Sequence, residues 1–123
     1  MAIEFQADAD IHPGIVLGFR RRIPGARFDL AQGRIVDGTQ DWDVLAMCAD
    51  QGLVLVSRDQ NTMRAEFRAF VQRQDHPGLV IVSQTLGIGR AIEQLETVWE
   101  LASPRDLKNS ILWAGDLAIE RFR

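Results

Sequence analysis

The sequence predicts an α/β protein, a three-layer α/β/α sandwich around a mostly parallel central sheet of four to five strands. Two observations carry that expectation. Apolar runs such as residues 53–56 (LVLV) and 79–82 (LVIV) are continuous rather than alternating, as strands covered on both faces require. Between such runs lie segments whose apolar residues recur at helical spacing. Strands and helices thus alternate four times, which implies βαβ crossovers. The length of 123 residues is one domain's worth, with a core over about 3–114 and a tail over 115–123.

Residues 3–7 (IEFQA) read as a first buried strand ending at Asp8-Ala9-Asp10. Pro13 suits the first turn of a helix. Ile15, Val16, Phe19 and Ile23 form its apolar stripe, Arg20, Arg21 and Arg22 follow its polar side, and Pro24-Gly25 stops it. Residues 26–31 (ARFDLA) form a second strand, and 32–40 a loop containing Gly33 and Gly38. Asp41 takes the N-cap position of a second helix, with Val44, Leu45, Cys48 and Ala49 at helical spacing and Gly52 as its end. Strand 53–56 follows and closes at Ser57-Arg58-Asp59. Met63, Phe67, Phe70 and Val71 mark the buried face of a third helix, and His76-Pro77-Gly78 turns into strand 79–82. Ile88, Ile92, Leu95, Trp99 and Ala102 step by four and three, the clearest amphipathic pattern, which Pro104 breaks. Residues 110–114 (SILWA) read as a last strand and 116–123 as a short helix.

Composition narrows the function. Basic residues number 14 against 17 acidic, a net charge of −3, which argues against coating nucleic acid by bulk charge and leaves room for a local basic face. Every basic residue but Lys108 is arginine, so catalytic-lysine chemistry is nearly excluded. No apolar run reaches the roughly 18 residues of a membrane span, and no signal-peptide pattern opens the chain. The lone Cys48 makes no internal disulfide, so a reducing, cytoplasmic setting is expected.

In parallel α/β folds, ligands collect at the carboxyl ends of the strands. Asp8 and Asp10 follow the first strand there and Asp59 the third, and Asp41 opens the helix leading into the latter. Carboxylates converging from separate segments raise one another's pKa, and a hard divalent cation neutralises them. The bland reading of each aspartate alone is a helix cap.

The ordered set Phe5-Gln6-Ala7-Asp8-Ala9-Asp10, Asp41-Trp42-Asp43-Val44-Leu45 and, after Gly52, Leu53-Val54-Leu55-Val56-Ser57-Arg58-Asp59 resembles the PIN-like nuclease domains, especially a small bacterial group within them. The 18-residue step from Asp41 to Asp59, Thr62-Met63 and the run from His76 to Val82 also look like that group. The resemblance covers roughly residues 3–113. It implies an acidic pocket holding Mg²⁺ or Mn²⁺ that hydrolyses RNA phosphodiester bonds, often as the toxin of a toxin–antitoxin pair. RNA would be the substrate, an antitoxin protein a partner, a homodimer the expected assembly, and no membrane is involved. Asp8, Asp41 and Asp59 map onto the family's metal-site acids, with Asp10 as an additional donor. Many relatives carry an aspartate where this chain has Asn61, and a glutamate early in an intervening helix has no equivalent here.

Arg58, Arg64, Asn61 and Trp42 are the candidate substrate contacts: guanidinium groups for phosphates and an indole for an unpaired base. Helix-face solvation for the arginines and core packing for Trp42 are the structural alternatives. Gly87-Ile88-Gly89 opens the long helix without a full glycine fingerprint or a P-loop lysine, and reads as a plain helix entry. His12 and His76 lack zinc-ligand spacing with Cys48, itself a core residue. Besides the nuclease, two classes stay open. One is a catalytically degenerate PIN-like module that binds a partner or dimerises. The other is an aspartyl-phosphate phosphatase or receiver-like domain, suggested by Asp8-Ala9-Asp10 but needing a lysine that only Lys108 could supply.

Overall fold

The computed structural model describes residues 2–123. Its central sheet has six strands, and the order along it is β2-β1-β3-β4-β5-β6. These are β1 (Phe5–Ala7), β2 (Phe28–Asp29), β3 (Val54–Ser57), β4 (Leu79–Ile81), β5 (Ser110–Trp113) and β6 (Ala118–Arg121). Every pairing from β2 to β5 is parallel, and β6 returns antiparallel on β5. The helices are α1 (Pro13–Arg22), α2 (Asp41–Gln51), α3 (Thr62–Val71), α4 (Ile88–Leu101) and the short α5 (Pro104–Leu107).

Alternation of side chains along the strands gives two cores. Phe5, Ala7, Val54, Val56, Val80 and Leu112 face α1 and α4, joining Ile15, Val16, Phe19, Leu95 and Val98. Leu55, Leu79, Ile81 and Ile111 face α2 and α3, joining Val44, Leu45, Cys48, Phe67 and Phe70. This is the expected three-layer arrangement. Gly18 lets α1 approach α4 closely, since a Cβ there would stand 2.4 Å from Ile92 Cδ1. Gly78 enters β4 at φ 136°, and a Cβ would meet the Leu107 carbonyl oxygen at 2.6 Å. Among the described residues, no helix is long and apolar enough to cross a membrane.

Four details differ from the sequence reading. The sheet has six strands rather than four to five, because the tail read as a short helix supplies β6 instead. Asp116 Oδ1 accepts the Ala118 N–H at 3.0 Å and Leu117 takes φ 61°, which turns the chain back into a hairpin. The second strand is only Phe28–Asp29. Pro104 does end the long helix but also begins α5, whose Ser103 and Asp106 form a capping box. Asp41 is the first helical residue of α2 rather than its N-cap, which is Gln40.

Candidate functional site

Strand order reverses between β1 and β3: after β1 the chain crosses to β2 on one side, and β3 lies on the other. A crevice at the carboxyl ends of two such strands is where open α/β sheets bind ligands. Asp8 and Asp10 follow β1 at this point, and Ser57, the last residue of β3, stands beside them.

Ser57 is fully buried and is the hub of the site. Its Oγ lies 3.0 Å from Asp8 Oδ2 and 3.3 Å from Asp10 Oδ2, and accepts the Asp59 N–H at 3.1 Å. A hydroxyl has one hydrogen to donate, so two carboxylates compete for it. Asp8 also accepts the Ala9 N–H at 2.8 Å, and Asp10 the Arg58 N–H at 3.0 Å. These bonds do not offset the crowding. Burial, followed by the charge of Asp8, pushes the Asp10 carboxyl up to about 6. Asp8 is raised by burial, with Asp59 adding repulsion against its bonds to Ala9 and Ser57.

Asp41, half-buried at the first turn of α2, is raised by burial and then by the charges of Asp8, Asp59 and Glu66. Asp59 shifts the other way. Burial opposes its charge, but the Thr62 hydroxyl and the N–H groups of Asn61, Thr62 and Met63 together lower it. Its Oδ1 accepts from Asn61 N at 2.9 Å and Thr62 N at 2.8 Å, so it closes the first turn of α3. The capping alternative therefore holds for Asp59 alone. At α1 that role belongs to His12, whose Nδ1 accepts the Gly14 N–H, while Asp8 and Asp10 turn toward Ser57.

The four aspartates are thus charged neighbours rather than a closed ligand cage. Among the described residues, no group of three His, Cys, Asp or Glu side chains is arranged to hold a metal ion.

The substrate contacts expected from sequence separate. Arg58 lies beside the acids, but its guanidinium donates to the Leu86 carbonyl at 2.6 Å, and its Nε is buried without a partner. Gln84 donates to the Arg58 carbonyl at 3.2 Å, joining the loop after β4 to the site. Arg64 makes a two-pronged pair with Glu120 at 3.0 and 2.6 Å, tying α3 to β6. Asn61 is exposed where α3 begins. Trp42 packs on Phe70, with ring centroids 4.9 Å apart, so it belongs to the core rather than to a base platform. In the Arg20–Arg22 run, Arg20 donates to the Phe28 carbonyl and Arg22 pairs with Glu96.

Sequence reasoning missed Ser57 as the hub and Glu66 as a further charge beside Asp41. A polar residue ending an apolar strand, on the same face as Leu55, was the available signal for Ser57. Nothing in the spacing singled out Glu66. Lys108 precedes β5 at the opposite end of the sheet, where it pairs with Asp75 at 3.4 Å.

No protein-family model matches the chain, and neither the curated proteins nor the solved structures contain a significant match to it.

Proposed function

We propose that the chain is a divalent-metal-dependent endoribonuclease of PIN-like type, with Mg²⁺ or Mn²⁺ as cofactor. The observation that most supports this reading is the convergence of Asp8 and Asp10 on the Ser57 hydroxyl at the strand-order reversal, with Asp59 two residues beyond Ser57 and Asp41 near enough for the charges of Asp8 and Asp59 to raise it. Three of the four have raised pKa values. The fold holds more negative charge here than its own donors compensate, a pattern that functional sites share.

The donor chemistry suits such a cation, because the side chains offer hard carboxylate oxygens, and gathering three of them on one ion requires side-chain shifts from the arrangement described above. Asp8, Asp10 and Asp41 would hold the ion, with Asp59 completing the set. When bound, the ion supplies an activated water and neutralises charge on the phosphate. The chain's own groups position the acids. Ser57 steers Asp8 through its hydroxyl, and Asp59 fixes the start of α3. Asp10, raised to about 6 in the metal-free chain, would give up its proton as the ion binds. The same reading makes RNA the substrate, an antitoxin protein the partner that silences it, and a cytoplasmic homodimer its working form.

The test is cleavage of single-stranded RNA by purified protein with Mg²⁺ or Mn²⁺. The wild type should cut, and Asp59→Asn should abolish cutting while the protein stays folded. Activity that survives in Asp59→Asn, or in excess chelator, would remove the reading.

A second reading is a degenerate PIN-like module that binds a partner or dimerises. It is favoured by the engagement of Asp59 Oδ1 in helix closure and by Asn61 standing where many PIN-like relatives have an aspartate. Absence of Mn²⁺ binding at millimolar concentration would select it. An aspartyl-phosphate function has less support, since Lys108 is at the far end of the sheet from the acids.

A further inference from the structure

Cross-strand register carries the site further along the sheet. Ser57 of β3 pairs with Ile81 of β4, Ile81 with Trp113 of β5, and Trp113 with Ala118 of β6. Paired residues share a face, so Trp113 lies in the same row as Ser57, on the α2/α3 side and at the carboxyl edge. Two strand spacings place its backbone about 10 Å from that of Ser57.

Trp113 is only half-buried there. Its neighbour across the hairpin is Ala118, and the turn that follows opens with Gly115, so small residues flank the indole on that side. Two adjoining cavities, about 490 and 310 Å³, share Trp113 and Gln60, the residue directly after Asp59. Both are shallow and open to solvent, the shape of a surface groove rather than of an enclosed pocket.

The walls indicate what the groove takes. Glu120 matches the charge of Arg64 in a two-pronged pair, so that wall offers no free cation to a phosphate. What remains is the half-buried indole and the side-chain amides of Gln60 and Asn61, with the Ser83 hydroxyl engaged by Thr85 and Asp116 Oδ1 by the Ala118 N–H. Those groups suit a flat, uncharged ligand with donors and acceptors around its rim. Resting on the nuclease reading above, we infer that this groove is a nucleobase subsite, in which an unpaired base of single-stranded RNA stacks on Trp113 beside the linkage held over the acids. Gln60 and Asn61 present their amides to the edge of that base. The turn carrying them is held by the N–H bonds to Asp59 Oδ1, which ties base placement to the acidic edge.

The test is binding of a labelled single-stranded RNA by anisotropy, in EDTA so that cleavage plays no part. Trp113→Ala should bind about 5- to 150-fold more weakly, the range that loss of one base–aromatic stack produces, and Trp113→Phe should bind close to wild type. Because Trp113 also packs against the α2/α3 core, a second comparison leaves the protein unchanged. RNA carrying an abasic nucleotide at the contacted position should bind wild type with a similar loss, and Trp113→Ala should no longer distinguish it from intact RNA. Equal affinity of wild type for intact and abasic RNA at every position would overturn the inference. So would an unchanged preference in Trp113→Ala, or no RNA binding by wild type. Base-dependent binding without cleavage in Mn²⁺ would instead sink the nuclease reading and leave the base subsite standing.

Discussion

Neutralising Asp10 should make the protein more stable, and the effect should depend on pH in one direction. Its carboxyl moves from an ordinary 3.8 to about 6 in the folded chain, through burial and then the charge of Asp8. Between those values the folded state binds more protons than the unfolded one, so stability falls as pH rises through the window. Below about 4 nothing is lost, and above about 6 the loss is complete. The full shift corresponds to about 3 kcal/mol. The residue as a whole is exposed and only its carboxyl is tucked against Ser57 and the Arg58 N–H, so solvent screening reduces this to about 1 kcal/mol. Asp10→Asn keeps an acceptor for the Arg58 N–H and removes the charge. In EDTA it should melt about 4 °C above wild type at pH 7.5, and the difference should vanish at pH 4. Urea or thermal unfolding of both proteins across that range measures it. A variant that is no more stable than wild type at pH 7.5, or whose advantage grows toward acid, would refute the crowding argument.

His76 gives the opposite trend. It is buried against Phe67 and Phe70, with its Nδ1 accepting the Gly78 N–H, and burial lowers it to about 4. The unfolded chain gains a proton first on acidification, so roughly 3 kcal/mol should be lost as pH falls from about 6.5 to 4; unfolding of His76→Gln should show a flatter acid limb. Gly78→Ala should cost about 2 kcal/mol or more by urea unfolding, because a Cβ meets the Leu107 backbone at a φ that L residues rarely adopt. The half-exposed Arg64–Glu120 pair should show a coupling of no more than about 1 kcal/mol in a double-mutant cycle.

The layers of the fold were legible because their signals are local. Continuous apolar strands and four helices with one buried face each can be read within windows of ten to fifteen residues. The sixth strand was not, since residues 118–121 (AIER) gain their conformation from pairing with β5 and from the turn at Asp116 and Leu117. Asp8, Asp41 and Asp59 could be grouped because parallel topology brings strand ends to one edge. The hydroxyl that joins Asp8 to Asp10 could not, because a serine ending a strand is ordinary until its register is known. For Trp42 the sequence offered base stacking and core packing alike, and the structure selects packing. Its placement on Phe70 depends on how α2 meets α3.

The proposed function stands or falls with a divalent cation held by the aspartates at the carboxyl edge of the sheet. Calorimetric titration of Mn²⁺ into wild type and Asp59→Asn, at pH 6 in two buffers of different ionisation enthalpy, tests it most directly. Wild type should bind and release protons as Asp10 ionises, and Asp59→Asn should bind at least tenfold more weakly. No binding at millimolar Mn²⁺, or equal binding by the two proteins, would contradict it.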